Sequence, residues 1–337
     1  MQVREGLRTK RLTGLAIKLH IGASKCGSSA LQAALSATPT IFREDGTKIE
    51  YVVADLRHDR IIRGAKLTGS LKINGYRVSS NADLFVDRSS HRIAAYLRKA
   101  QHDVILSSEG WLFQPSQWKH ILEQMKLHVD VVVYVRPQVS VLNSAWWQWG
   151  AWSDKPFAAW IDQRLKASLW GARIAQWQTL KRVRSITVRP IGGDVVSDFF
   201  ANILKAPVPQ NGSRPNPTLP GPLLRLFQRN RELRPGPHNS RIDFALSQTP
   251  VHDDPPIWVM NPELIQKVID FTREDTRQLM EYMEPDAAKM VRDDPRWWSA
   301  DAFADKQAES PDPTPVDPRK LEEMCVSMAQ QLFELRS

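Results

Sequence analysis

The chain has 337 residues, 42% apolar and 25% charged, which is ordinary usage for a folded globular protein and enough for one large α/β domain, alone or with a small appended lobe. Its net charge of +9 points to anionic partners, but the Lys and Arg residues are scattered, and without a clustered basic stripe a specific nucleic-acid reader is disfavoured. Two cysteines, Cys26 and Cys325, cannot make a disulfide framework and lack metal-ligand spacing, so no metal is expected and a reducing compartment is the simpler setting.

Residues 15–21 are apolar with a β-compatible pattern and end in Gly22. A small-residue loop follows, Ala23-Ser24-Lys25-Cys26-Gly27-Ser28-Ser29, after which Ala30, Leu31, Ala34 and Leu35 recur at helical spacing. Residues 43–92 are irregular and rich in Arg, Asp and Gly, with short strands suggested near Tyr51 and Leu71. A helix is expected over 92–100, a short strand over 104–106 ahead of Ser107-Ser108-Glu109-Gly110, and a helix over 118–127. Residues 131–135 make the clearest buried strand, five β-formers together before Arg136 and Pro137. Pro137 helps to start a helix over 139–149.

Trp-rich helices are expected near 156–166 and 168–181, then a strand over 185–188 and an amphipathic helix over 194–204 with Phe199 and Phe200 on one face. Later helices are expected over 218–232, 261–283 and 318–335, with exposed Pro-rich stretches near 206–222 and 308–318. Strands alternating with helices indicate a parallel sheet covered on both faces, hence a three-layer α/β/α fold with helical additions at the C-terminus. The expected division is an α/β domain over 1–235 and a helical extension over 236–337.

Two segments carry chemistry. A strand feeding a Gly-containing loop into a helix start makes an anion site, because backbone N–H groups point into the loop and the helix dipole adds positive potential. Lys25 adds a full charge, Gly27 lets the backbone approach the ligand, and Ser28 and Ser29 add hydroxyl donors. The order is not that of a Walker A loop, since Lys25 precedes Gly27. A turn that merely caps a helix is the plainer alternative. The second segment is Arg136, at the carboxyl end of the clearest strand, with Ser144 eight residues later in the next helix. Arg136 can fork two donors onto a phosphate, and Ser144 could converge on the same group. Ligands of open α/β sheets lie outside the carboxyl ends of strands, where both segments fall.

Lys25-x-Gly27-Ser28-Ser29 after a strand resembles the 5′-phosphosulfate loop of the sulfotransferases that use 3′-phosphoadenosine 5′-phosphosulfate (PAPS), and the Arg136/Ser144 pair resembles their 3′-phosphate motif. Ala30 stands where many cytosolic members have Trp, and Ala30-Leu31-Gln32 is closer to the carbohydrate-type and bacterial branches. Ser144-Ala145-Trp146-Trp147-Gln148-Trp149, the Ile186 to Pro190 strand, Asp198-Phe199-Phe200 and Arg214-Pro215-Asn216 extend the resemblance over about residues 15–235. It implies a P-loop-like fold with PAPS as co-substrate. The donor would be bound through Lys25, Cys26, Gly27, Ser28, Ser29, Ala30, Arg136 and Ser144. Lys25 would stabilise the leaving oxygen.

A His base of the small-molecule members has no counterpart, because His102 precedes its strand. Glu109 stands where glycan-directed members carry a Glu base, which implies a sugar hydroxyl or amine on a glycan or glycolipid as acceptor. Glu109 could equally cap a helix or pair with an Arg. Residues 57–77 could form part of an acceptor cleft. Trp146, Trp147, Trp149, Trp152, Trp160, Trp170 and Trp177 could stack on sugars, although ordinary core packing is favoured. No run of about 18 apolar residues could span a bilayer and no signal peptide is read, so a cytoplasmic enzyme is expected, with peripheral contact to the inner membrane as an option. The competing readings are a P-loop kinase or other nucleotide-phosphate enzyme, and a non-catalytic polyanion-binding protein.

Overall fold

The computed structural model describes residues 16–55, 58–74, 91–210, 219–239, 242–243 and 257–334. They belong to two units, Met1–Val135 with Arg173–Ser213, and Arg136–Ala172 with Arg214–Ser337.

The first unit is built on a sheet. Its elements are β1 (Ile17–Gly22), α1 (Ser28–Ala37), β2 (Thr40–Phe42), β3 (Lys48–Asp55), β4 (Arg60–Arg63), α2 (Ala65–Asn74), α3 (His91–Lys99), β5 (Asp103–Glu109), α4 (Pro115–Met125), β6 (Val129–Val135), β7 (Val183–Pro190) and α8 (Val195–Asp198). The strand order is β2-β3-β5-β1-β6-β7, with β4 on the carboxyl half of β3. Strands β3, β5, β1, β6 and β7 run parallel. The centre of the sheet is thus parallel, as expected, while β2 and β4 pair antiparallel to β3 and make one edge mixed. The reason is local: a tight turn through Gly46 joins β2 to β3, and so short a connection can only join antiparallel neighbours.

Helices cover both faces. On one face α8 packs beside α1, and Phe199 reaches the His20 ring. Helices α3 and α4 lie in the connections from β3 to β5 and from β5 to β6, and the right-handed rule for such parallel crossovers carries them to the other. Burial on both faces is why β6 reads as an unbroken apolar run. The expected strand at Leu71 is instead part of α2. Its Leu residues have neither strand alternation nor a strand partner, and Gly64 in a left-handed conformation opens a helical turn there. The helix expected over 194–204 is capped by Asp194, which accepts from Val196 N and Ser197 N, but it widens into a π-helical turn over Phe199–Leu204. The wider turn lets two consecutive rings, Phe199 and Phe200, both enter the core. Asp198 ties this turn to the sheet: it takes two hydrogen bonds from Arg189 (2.6 Å each) and one from the Tyr134 hydroxyl (2.7 Å). Burial alone would raise the Asp198 carboxyl, but Arg189, Tyr134 and Asn202 together hold it below its usual range.

His20 lies wholly inside this unit. Its Nδ1 is 2.7 Å from Ser107 Oγ, which also accepts from Gln32 Nε2, and the Tyr134 and Phe199 rings flank it. Burial pulls the imidazole down to about 4 from 6.5. A lowered folded value means that the unfolded chain takes the proton first, so stability is full above pH 6.5 and is lost as pH falls through 4. The loss across that window is about 3 kcal/mol. Urea titrations at pH 7 and pH 4.5 should show a pH dependence that is clearly smaller in His20→Gln. An equal dependence in the two proteins would refute the assignment.

The second unit is helical: α5 (Gln138–Gln148), α6 (Phe157–Leu165), the start of α7 (Trp170–Gln178), α9 (Gly221–Arg229), α10 (Pro262–Glu281), α11 (Pro285–Asp293) and α12 (Pro318–Glu334). Its core joins α5, α6, α9 and α10 through Trp146, Trp147, Trp152 and Trp160 with Leu223, Phe227, Val268 and Ile269. The tryptophans are therefore core residues here and not an exposed sugar platform. Arg225 and Arg234 lie over the Trp147 and Trp152 rings at 5.1 and 4.2 Å. Asp275 of α10 accepts from Gly171 N and Ala172 N and so caps α7 from a distant helix. A Cβ at Gly171 would stand 2.5 Å from Asp275 O, which explains the glycine. Among the described residues no helix is long and apolar enough to cross a membrane.

Candidate active site

The candidate site lies in the first unit, where β1 and β5 end side by side. The two strands run in register from Ile17↔Val104 to Gly22↔Glu109, and Gly110 N then donates to Gly22 O at 2.9 Å. Ser107, Ser108 and Glu109 are thus the last residues of β5, not a loop after a shorter strand. Serine and glutamate have weak β propensity, and only the pairing with β1 holds them extended.

Between β1 and α1 the chain turns through residues 23–27. Lys25 (φ 62°) and Gly27 (φ 78°) are left-handed, and Cys26 N donates back to Ala23 O. Glycine carries this conformation freely, whereas at Lys25 it costs free energy and is the kind of outlier that clusters at ligand sites. The turn aims α1 at the strand ends. No side chain caps the N-terminus of α1 and its first turn holds no acidic residue, so its positive end faces the loop uncompensated. Cys26 is buried with Sγ toward Ser24 O at 3.4 Å, so this residue can offer a ligand only its backbone. Ser29 and Ala30 are half-buried in the first turn of α1.

Ser28 is the most telling residue. It is buried, and its Oγ has no hydrogen-bond partner in the structure. Leaving a buried hydroxyl unsatisfied costs roughly 1–3 kcal/mol, so an orphan of this kind calls for an explanation. The hydroxyl sits in the slot left by the missing side chain of Gly22. A Cβ there would come within 2.3 Å of Ser28 Oγ and 3.1 Å of Glu109 Cα. A cradle with an unspent donor, a lysine and a helix N-terminus fits an oxyanion.

Glu109 borders this cradle. Burial raises its carboxyl above the usual range, and the Lys25 ammonium and the Ser24 hydroxyl pull it only part of the way back. The residues after it form a rigid bed: Gly110 (φ 92°) turns the chain into a short 3₁₀ helix, Trp111–Phe113. Trp111 packs edge-on against Trp118 at 4.6 Å, and Trp177 Nε1 donates to Leu112 O. A half-buried carboxylate with a raised pKa beside a cation is placed to take up a proton. The fold thus brings Lys25, Cys26, Gly27, Ser28, Ser29, Ala30 and Glu109 to one end of the sheet.

Arg136 and Ser144 belong to the second unit and are described there. Arg136 follows β6 directly, and its backbone carbonyl accepts from Trp170 Nε1 at 3.0 Å. Ser140, Ser144 and Gln148 form the half-exposed stripe of α5. The buried flank beside this stripe is pinned by Asn143, whose Nδ2 donates to Ile257 O and whose Oδ1 accepts from Val259 N. Trp147 Nε1 donates to the same Ile257 O. Asn143 imitates a strand edge and fixes the rotation of α5, a role with no signal in the sequence. Arg214-Pro215-Asn216 lies outside the described residues, and so does part of the 57–77 stretch.

No protein-family model and no curated protein matches the chain. Among solved structures it is similar to a sulfotransferase from Alicyclobacillus acidocaldarius, with a TM-score of 0.42 and 13% identity, over 82% of this chain and 99% of that one.

Proposed function

We propose that the protein transfers a sulfonate group from PAPS to a hydroxyl or amine acceptor, with a sugar hydroxyl as the preferred class. The unpartnered Ser28 hydroxyl, set beside Lys25 at the uncapped start of α1 and next to Glu109, is the observation that supports this reading most. The donor's 5′-phosphosulfate would sit in the loop, on the backbone of residues 25–30 and the Ser28 and Ser29 hydroxyls. Arg136 and Ser144 would hold its 3′-phosphate. Residues 1–235 would carry this chemistry, with 236–337 as a helical extension.

In the transfer, the acceptor oxygen attacks sulfur in line with the bond to the phosphate oxygen. The new O–S bond forms as the old one breaks, and the electron pair leaves on that phosphate oxygen. Lys25 would offset the developing negative charge, an electrostatic contribution of the kind that dominates such loose transition states. Glu109 takes the proton that the acceptor hydroxyl loses. Its raised pKa makes it a better base than an exposed carboxylate.

The test is turnover with PAPS in the presence of mono- and oligosaccharide acceptors, read as release of adenosine 3′,5′-bisphosphate. Release that depends on acceptor is expected. Turnover of ATP with magnesium and none of PAPS would favour the kinase reading instead.

A further inference from the structure

A second cluster of titratable side chains stands at the far end of β5 from Glu109. Glu50 of β3 is buried, and its Oε2 accepts the Tyr96 hydroxyl at 2.7 Å and lies 2.7 Å from His102 Nε2. The Arg63 guanidinium is 3.7 Å from the same oxygen and lies over the Tyr96 ring at 5.3 Å. Glu50 pairs with Val104 in the sheet, so the cluster sits where β5 begins. The two ends of β5 are about 20 Å apart at ~3.3 Å per residue, which separates this place from the candidate active site.

In front of the cluster opens a cavity of about 440 Å³, walled by Arg63, Tyr96, Lys99, Gln101, His102 and two alanines. Among the described residues no acidic side chain lines it. The buried Glu50 carboxylate is not part of the lining; it accepts from the Tyr96 hydroxyl and lies beside the imidazole and the Arg63 guanidinium. The guanidinium of Arg63 and the ammonium of Lys99 are both exposed, and with His102 and the Gln101 amide they make the lining rich in donors. Such a set recognises an oxyanion, and Arg63 can do so with two parallel hydrogen bonds. The volume falls within the ~300–1,000 Å³ of small-ligand sites and leaves room for the body that carries the anion. The alanines and the stacked Tyr96 ring give that body an apolar surface.

We propose that this cavity is a second oxyanion-binding site, which takes a sulfate or phosphate group carried on a sugar-sized molecule. It rests on no assumption about the reaction at Glu109.

Calorimetric titration of Lys25→Ala protein, in which the loop site is weakened, tests it with sodium sulfate, galactose 6-sulfate and galactose at constant ionic strength. Saturable binding of galactose 6-sulfate is expected, tighter than that of sodium sulfate, with none for galactose. Adding Arg63→Ala and Lys99→Ala should weaken it at least about tenfold, and both side chains are exposed, so the fold should persist. Equal affinity for sodium sulfate and galactose 6-sulfate would keep the site for the oxyanion but overturn its preference for a carried one. Binding undiminished by the two substitutions, or no saturable binding of either anion, would overturn the site itself.

Discussion

Glu109→Gln is expected to lower kcat with PAPS by roughly 10²–10⁴-fold while leaving the affinity for adenosine 3′,5′-bisphosphate close to that of the unaltered protein. The amide keeps the size of the carboxylate but cannot take a proton. Its backbone is fixed by the β1 register and by the turn at Gly110, and the next residue but one, Trp111, is buried, so the substitution should change chemistry and not shape. Because burial raises the Glu109 carboxyl, removing its charge should also leave the folded state at least as stable at neutral pH. Steady-state turnover, bisphosphate titration and thermal unfolding on the same preparation would check all three statements. Near-normal turnover would remove Glu109 from the role of base.

Lys25→Met should act twice. First, the leaving oxygen loses its cation, and the loss of one such electrostatic partner costs roughly 10²–10³-fold in kcat. Second, the Lys25 ammonium is what pulls the Glu109 carboxyl back toward its usual range. Without it the Glu109 pKa rises further. A base works only when deprotonated, so the acid limb of the kcat/KM profile should move to higher pH. The direction can also be read without turnover, by carbon-13 NMR titration of the Glu109 carboxyl in both proteins. An acid limb that stays in place, or moves down, would mean that Lys25 and Glu109 are not electrostatically coupled.

The parts of this site legible in the sequence are those whose chemistry is local. A strand, a small-residue loop with Lys25 and Gly27, and a helix start can be recognised together, because an anion site at a helix N-terminus is made by consecutive residues. Likewise β6 announces itself through five β-formers, because burial on both faces leaves no room for polar alternation. What stayed hidden depends on partners distant in the chain. The strand character of Ser107 to Glu109 comes from pairing with β1, and so does the placement of Glu109 against the loop. The orphaned state of Ser28 and the slot it fills at Gly22 arise only once α1 has docked on the strand ends. The Asn143 clasp on the 257–259 segment and the Asp275 cap on α7 bridge more than a hundred residues. Trp content could not distinguish a sugar platform from a core, since the same aromatic face serves both; burial beneath Arg225 and Arg234 decides for the core at Trp147 and Trp152. The mixed edge of the sheet, with β2 and β4 reversed, follows from short turns in a stretch that lacks strong periodicity.

The central proposal is that the protein reads a nucleotide phosphorylated at both its 5′ and its 3′ end. Calorimetric titration with adenosine 3′,5′-bisphosphate, with 5′-AMP and ATP as controls, addresses it most directly. The account predicts tight binding of the bisphosphate and weaker binding of 5′-AMP by at least about tenfold, since each charge-assisted contact to the 3′-phosphate contributes roughly 1.5–3 kcal/mol. Equal affinity for the bisphosphate and 5′-AMP, or no binding of either, would contradict it.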